Sequence, residues 1–181
     1  SDQFNVAAYG ERQPGSSFKT ITLTTAINQG MNPNIFLNCN SPQQVTPTWC
    51  VENYHNNQYG IISLARATEL SSNTAYAQVA VTVGADNIVQ TAKDLGIDED
   101  IPVVPSITLG AAGVPPLQMA EAYATLASGG VHRNPVAITK IEDRNGNSVY
   151  EHQDDGQQVE DTSTTWAVTQ VLEGVVQNGT A

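Results

Sequence analysis

Basic side chains are scarce in this sequence: seven Lys and Arg stand against eighteen Asp and Glu in 181 residues, a formal net charge of −11. Nucleic acid and anionic lipid surfaces both demand clustered cations. The seven here are scattered, so a nucleic-acid partner is excluded. Charged residues of either sign reach only 14%, against about 25% in ordinary soluble domains. Asn, Gln, Thr and Ser fill the polar share instead, a balance that suits an extracytoplasmic protein. No apolar run approaches the roughly 18 residues of a membrane span, and no basic-then-apolar leader opens the chain. If the protein is anchored or secreted, that signal is expected upstream of Ser1. Acids gather at Asp94, Asp98, Glu99 and Asp100 and again from Glu142 to Asp161. They lack the alternating oxygen-ligand loop with a central Gly that calcium requires, and read as solvated loops and helix ends.

Cysteine is nearly absent too. Cys39 and Cys50 enclose a loop rich in Pro, Thr and Gln. It can close as a disulfide worth about 2–3 kcal/mol, implying an oxidising compartment, with two free thiols as the alternative. The three histidines, His55, His132 and His152, are not spaced to complete a zinc set of about four ligands. No metal or cofactor is expected.

What is present is enough for one core: hydrophobic residues make up 40%. Residues 1–15 read as strand or loop ending in the turn Gln13-Pro14-Gly15. Ser16 stands as an N-cap before Phe18, Ile21, Leu23, Ala26 and Ile27, with Gly30 as the stop. Residues 31–60 read as a long excursion with little regular structure. Helices are expected over Ile61–Leu70, Thr74–Val83 and Ala85–Leu95, the last two split by Gly84. Val103–Leu109 reads as a short strand or extended loop, and Pro116 opens a helix that ends at Gly129-Gly130. Ala137–Tyr150 has the alternation and Asn145-Gly146 turn of a β-hairpin. A last helix runs over Thr162–Val176, capped by Asp161 or Thr162.

Two short patterns carry chemistry. Ser16-Ser17-Phe18-Lys19 places a hydroxyl and an amine three residues apart, on one helix face. Serine is a weak nucleophile without a base beside it. Lysine becomes a base when burial and the positive end of a helix dipole lower its pKa. Alone the pattern is weak, since an N-cap serine beside a surface lysine reads the same way. Ser71-Ser72-Asn73 interrupts a helix and can present a hydroxyl and a carboxamide side by side. By itself it is an ordinary turn.

Together they form the first two of three signatures of the penicillin-recognising serine enzymes, Ser-x-x-Lys, Ser-x-Asn and Lys-Thr-Gly. Arg12 to Lys19 resembles the active-site serine segment of penicillin-binding transpeptidases, and Ala65 to Thr74 their second-motif helix end. The stretch Pro105 to Gly110, then Pro116 to Ala124 and Gly129-Gly130-Val131, is similar to bifunctional (class A) members. Ile141 to Gly146 and Gly174 to Ala181 fit the same template, so the resemblance covers almost all 181 residues. Thr20 stands where many members have Pro. The third motif is missing: Lys19, Lys93 and Lys140 are the only lysines, and none begins Lys-[Ser/Thr]-Gly.

The resemblance implies an α/β fold of the transpeptidase and serine β-lactamase type, an antiparallel sheet flanked by helices. Residues 1–181 would be a partial transpeptidase domain, with its C-terminal strands on a companion polypeptide. It implies a peptidoglycan D,D-transpeptidase at the outer face of the bacterial cytoplasmic membrane. Ser16 would be the nucleophile, Lys19 the base, Ser71 a proton relay and Asn73 a substrate ligand. Stem peptides and β-lactams would be the ligands. A D,D-carboxypeptidase or β-lactamase of the same fold, or a non-catalytic muropeptide- or β-lactam-binding module, are the rival expectations.

Overall fold

The computed structural model describes residues 4–180. Asn5 caps a single turn, α1 (Val6–Tyr9), by accepting from the amides of Ala7 and Ala8. Arg12 then bridges Val114 in antiparallel fashion. Ser16 is not an N-cap as expected. Gly15–Phe18 form a 3-10 turn that runs directly into α2 (Lys19–Asn28), with Gly15 at its first position in the left-handed region, φ +58°.

α2 is the centre of the molecule, with every residue from Lys19 to Ala26 buried. Its threonines are poor helix formers, at roughly 0.5 kcal/mol each. Full burial of Phe18, Ile21 and Leu23 contributes about 1.5–3 kcal/mol apiece, so packing decides. Two of the hydroxyls fold back on the helix: Thr24 Oγ1 donates to Thr20 O and Thr25 Oγ1 to Ile21 O, both at 2.9 Å.

The stretch 31–60 is more regular than expected. It carries β1 (Phe36–Asn38) and the hairpin β2 (Gln43–Thr46) and β3 (Trp49–Val51). The helix expected from Ile61 begins three residues late. Ile61–Ser63 form β4, paired antiparallel with β1, which suits two β-branched residues. Ser63 then caps α3 (Leu64–Glu69) by accepting from Arg66 N at 3.2 Å. α4 (Asn73–Val83) and α5 (Ala85–Asp94) follow, split at Gly84 as the sequence indicated. Residues 105–109 are a 3-10 helix rather than a strand, since Pro105 presets a helical φ at its first position.

α6 (Pro116–Ala127) starts on its proline. β5 (Val131–His132) pairs with β8 (Gln157–Gln158), enclosing the expected hairpin of β6 (Lys140–Glu142) and β7 (Ser148–Glu151). α7 (Thr162–Asn178) closes the chain, with Asp161 at the cap position but making no side-chain cap bond. α7 packs on α2 and α3, while α4 and α5 cover other sides of α2. Among the described residues every ladder is antiparallel and two-stranded. No described helix is long and apolar enough to cross a membrane.

The disulfide expected between Cys39 and Cys50 does not form: both thiols are free. Cys39 is fully buried in a small cluster with Ala67 and Ala75, while Cys50 lies exposed on β3 opposite Gln44. Burial of Cys39 raises its thiol pKa. A thiol reagent should therefore titrate one cysteine in the native protein and two in urea; two reacting at once would refute this burial.

One close approach holds the 3-10 turn. Gly110 sits at φ +66°, and a Cβ there would overlap the backbone of Gly15. The hairpin glycine Gly146 also has positive φ, but open space around it. Gly110→Ala should cost about 2–4 kcal/mol and Gly146→Ala about 1 kcal/mol, read from urea midpoints. Equal losses would mean the Gly15 contact is not limiting.

Candidate active site

The 3-10 turn delivers Ser16 to the surface, and the helix that follows takes Lys19 inside, where it is 3% exposed. One helical turn separates them, so the amine reaches back: Lys19 Nζ lies 3.2 Å from Ser16 Oγ. The second motif arrives from the opposite side. Ser71 adopts the left-handed φ of +53°, ending α3 and letting Ser72 cap α4 by accepting from Ala75 N at 3.2 Å. That bend turns both the carbonyl and the hydroxyl of Ser71 onto Lys19, at 2.7 and 3.0 Å from Nζ. Asn73 Oδ1 is the fourth acceptor at 2.7 Å. The four residues singled out in the sequence thus meet on one nitrogen.

Burial pushes the Lys19 amine down from its usual value to about 8, and its place at the start of α2 acts in the same direction. The Tyr76 ring, centred 5.7 Å from Nζ, offsets part of this by favouring the cation. A neutral amine has two N–H groups and one lone pair. The two short contacts are to Ser71 O and Asn73 Oδ1, which can only accept. With both N–H groups committed there, the lone pair is left for a hydroxyl proton from Ser16 or Ser71. The arrangement can deprotonate one serine and return the proton through the other.

Several residues the motifs did not flag hold this geometry. Tyr123 on α6 donates to Ser17 O at 2.9 Å and bonds Thr20 Oγ1 at 2.8 Å, pinning the serine turn from outside. Thr20, where the resemblance led us to look for Pro, has a partner of its own. Gln13 Nε2 donates to Ala111 O at 2.9 Å and Gly15 N to Gly110 O at 3.2 Å. Asn73 Nδ2 donates to Glu52 O at 2.9 Å, which sets its amide with the oxygen towards Lys19. Gln13, Tyr123 and Asn73 lie in stretches the sequence had marked, but the contacts they make here had no local signal, since each joins residues far apart in the chain. A cleft of about 290 Å³ opens over the site, lined by Ser16, Lys19, Ser71 and Tyr123 and by Leu172 and Val175 of α7. Among the described residues no cluster of His, Cys, Asp and Glu could hold a metal ion.

The depressed Lys19 has a signed consequence. Its folded pKa lies near 8 and its unfolded value near 10.5, so the unfolded chain binds more protons in between. Stability should rise from pH 8 towards pH 10, by on the order of 3 kcal/mol at most, and Lys19→Met should abolish the rise. Denaturant titrations of both proteins across that range measure it. A wild-type curve parallel to the variant's would refute the buried, neutralisable amine.

The chain matches the family model for the penicillin binding protein transpeptidase domain over residues 2–181. It is 32% identical to penicillin-binding protein 1A of Aquifex aeolicus, over 99% of this chain and 25% of that protein. It therefore spans about a quarter of the length of that curated relative. A D,D-transpeptidase domain of a peptidoglycan glycosyltransferase from Eggerthella lenta superposes with a TM-score of 0.85 at 26% identity, covering 97% of this chain and 51% of that one. Penicillin-binding protein A of M. tuberculosis, solved as an imipenem acyl-enzyme complex, shares the fold with TM-score 0.85 at 24% identity, over 95% of this chain and 45% of its own. The fold class read from the motifs is borne out, and the chain belongs to the penicillin-binding protein transpeptidase domain family.

Proposed function

We propose that this chain carries the acyl-transfer half of a peptidoglycan D,D-transpeptidase. The observation that carries the reading is the convergence of Ser16, Ser71 and Asn73 on the buried Lys19 amine. Ser16 Oγ attacks the penultimate carbonyl of a D-Ala-D-Ala stem peptide and gives its proton to Lys19. The Ser16 amide, in the first turn and without a partner inside the helix, faces the developing oxyanion. Ser71 returns a proton to the departing D-Ala nitrogen, and Asn73 hydrogen-bonds substrate. An amine of a second stem peptide then takes the acyl group from Ser16. A β-lactam acylates the same oxygen, in keeping with the acyl-enzyme form of the M. tuberculosis relative.

The third motif is not among these residues: none of the three lysines begins Lys-[Ser/Thr]-Gly. Completing the site calls for a strand that carries it. Trp166 and Val176 on α7, 65% and 72% exposed, offer apolar surface for it. By the same reading the protein acts outside the bacterial cytoplasmic membrane, where stem peptides are found.

Fluorescent penicillin tests this. Together with a segment supplying Lys-[Ser/Thr]-Gly, the chain should become covalently labelled at Ser16. Ser16→Ala should abolish the label, and Lys19→Ala should slow it about 10²–10⁴-fold. Tight but non-covalent binding would favour the non-catalytic module. Rapid hydrolysis of the acyl-enzyme by water would favour a carboxypeptidase or β-lactamase.

A further inference from the structure

Among the buried side chains of the polar excursion between β1 and β4, one bonds directly to the second-motif turn. Asn53 is 4% exposed, and its carboxamide is saturated. Nδ2 donates to Cys39 O at 2.8 Å and Asn57 O at 3.0 Å. Oδ1 accepts from Ser72 Oγ and Thr74 N, each at 3.1 Å. One amide thus ties the excursion to the cap of α4, the helix that begins with Asn73.

Its backbone matters as much. The carbonyl of Glu52 and the N–H of Asn53 belong to one planar peptide unit. The N–H donates to Ser41 Oγ at 2.9 Å, and the carbonyl accepts from Asn73 Nδ2 at 2.9 Å. Fixing Asn53 therefore fixes the direction of the Glu52 carbonyl. That carbonyl decides which end of the Asn73 amide faces Lys19: with Nδ2 engaged, Oδ1 points to Nζ at 2.7 Å. A flipped amide would present N–H groups to an amine that needs an acceptor.

We propose that Asn53 is a positioning residue for the acyl-transfer site, holding the 52–53 peptide so that Asn73 keeps its oxygen on Lys19. Its effect on rate rests on the proposed function above; its effect on Lys19 does not. The titratable side chains facing Lys19 are the phenols of Tyr76 from α4 and Tyr123 from α6, and no carboxylate contributes to its shift. Loosening the 52–53 peptide admits water beside Nζ and restores its hydration.

The test follows the Lys19 13Cε resonance through a pH titration, alongside labelling by fluorescent penicillin with the third-motif segment present. Asn53→Ala should move the Lys19 midpoint from about 8 up by about one pH unit and slow labelling roughly tenfold. Ser41→Ala, which removes only the acceptor for Asn53 N–H, should move it less in the same direction. Asn40→Ala removes a different bond of the excursion, the one Gly60 N makes at 3.0 Å, and should leave the midpoint in place. A folded Asn53→Ala protein with an unmoved midpoint overturns the proposal. If that variant does not fold, an unmoved midpoint in Ser41→Ala overturns it instead. A shift in Asn40→Ala as large as the others would reduce Asn53 to general loop stability. Wild-type protein that titrates as expected but never labels would sink the acyl-transfer reading alone.

Discussion

The whole site depends on keeping one amine dry among neutral oxygens. Lys19 is almost fully buried, and its four polar neighbours are two hydroxyls, a peptide carbonyl and a carboxamide. A carboxylate in any of those places would stabilise the cation by more than burial opposes it, and the amine would stay protonated through the neutral range. An apolar residue there would leave the N–H groups without acceptors, at a cost of about 1–3 kcal/mol each. Neutral dipoles are the intermediate solution: they satisfy the N–H groups of either protonation state. The amine is thereby held near pKa 8, where a useful fraction is neutral at physiological pH.

That requirement propagates outward. To bury Lys19, the helix that carries it must be surrounded, which is why α2 has no solvent face from Lys19 to Ala26. Ser16 must nevertheless reach solvent only three residues earlier. The change is made by a 3-10 turn held against Gly110 and Tyr123. On the other side, Ser71 must offer two oxygens to a single nitrogen. Its left-handed backbone allows this, at about 1–3 kcal/mol of local strain. α4, whose N-terminus is locked by Ser72 and Asn53, supplies the rigidity that sustains it.

How far the sequence revealed this follows from which interactions are local. Ser16 and Lys19 lie one turn apart, so their meeting was legible, as were α4, α5, α6 and the β6–β7 hairpin from Gly84, Pro116 and Asn145-Gly146. The meeting of Lys19 with Ser71 and Asn73 was read from the joint presence of two motifs, not from either alone. What escaped is non-local. Ile61–Ser63 became a strand because β1 lay ready to pair with it, overriding a helical pattern. Asn53 and Tyr123 act on residues tens of positions away, and nothing beside them in the chain announces it. The Cys39–Cys50 spacing permits a bridge, but spacing says nothing of direction. Cys39 points into an apolar cluster and Cys50 away from it.

A last consequence concerns what the cleft can bind. Of the side chains that line it, Lys19 is the sole cation among the described residues, and its donors are engaged with Ser71 and Asn73. A D-Ala-D-Ala terminus carries a carboxylate, and desolvating that group without charged or multiple donors is prohibitive. On the proposed reading, the proton-transfer groups and a lining of neutral hydroxyls are in place here, while recognition of an anionic substrate terminus calls for a free cation that the described residues do not place in the cleft. A Lys-[Ser/Thr]-Gly strand laid along the open side would supply both an ammonium and backbone N–H groups. Keeping that second cation off Lys19's own shell of oxygens matters equally: a nearby positive charge would depress the Lys19 pKa further, leaving more of the amine neutral but making it a weaker proton acceptor. Acid–base chemistry and anion recognition can thus be carried by separate stretches of polypeptide without either spoiling the other.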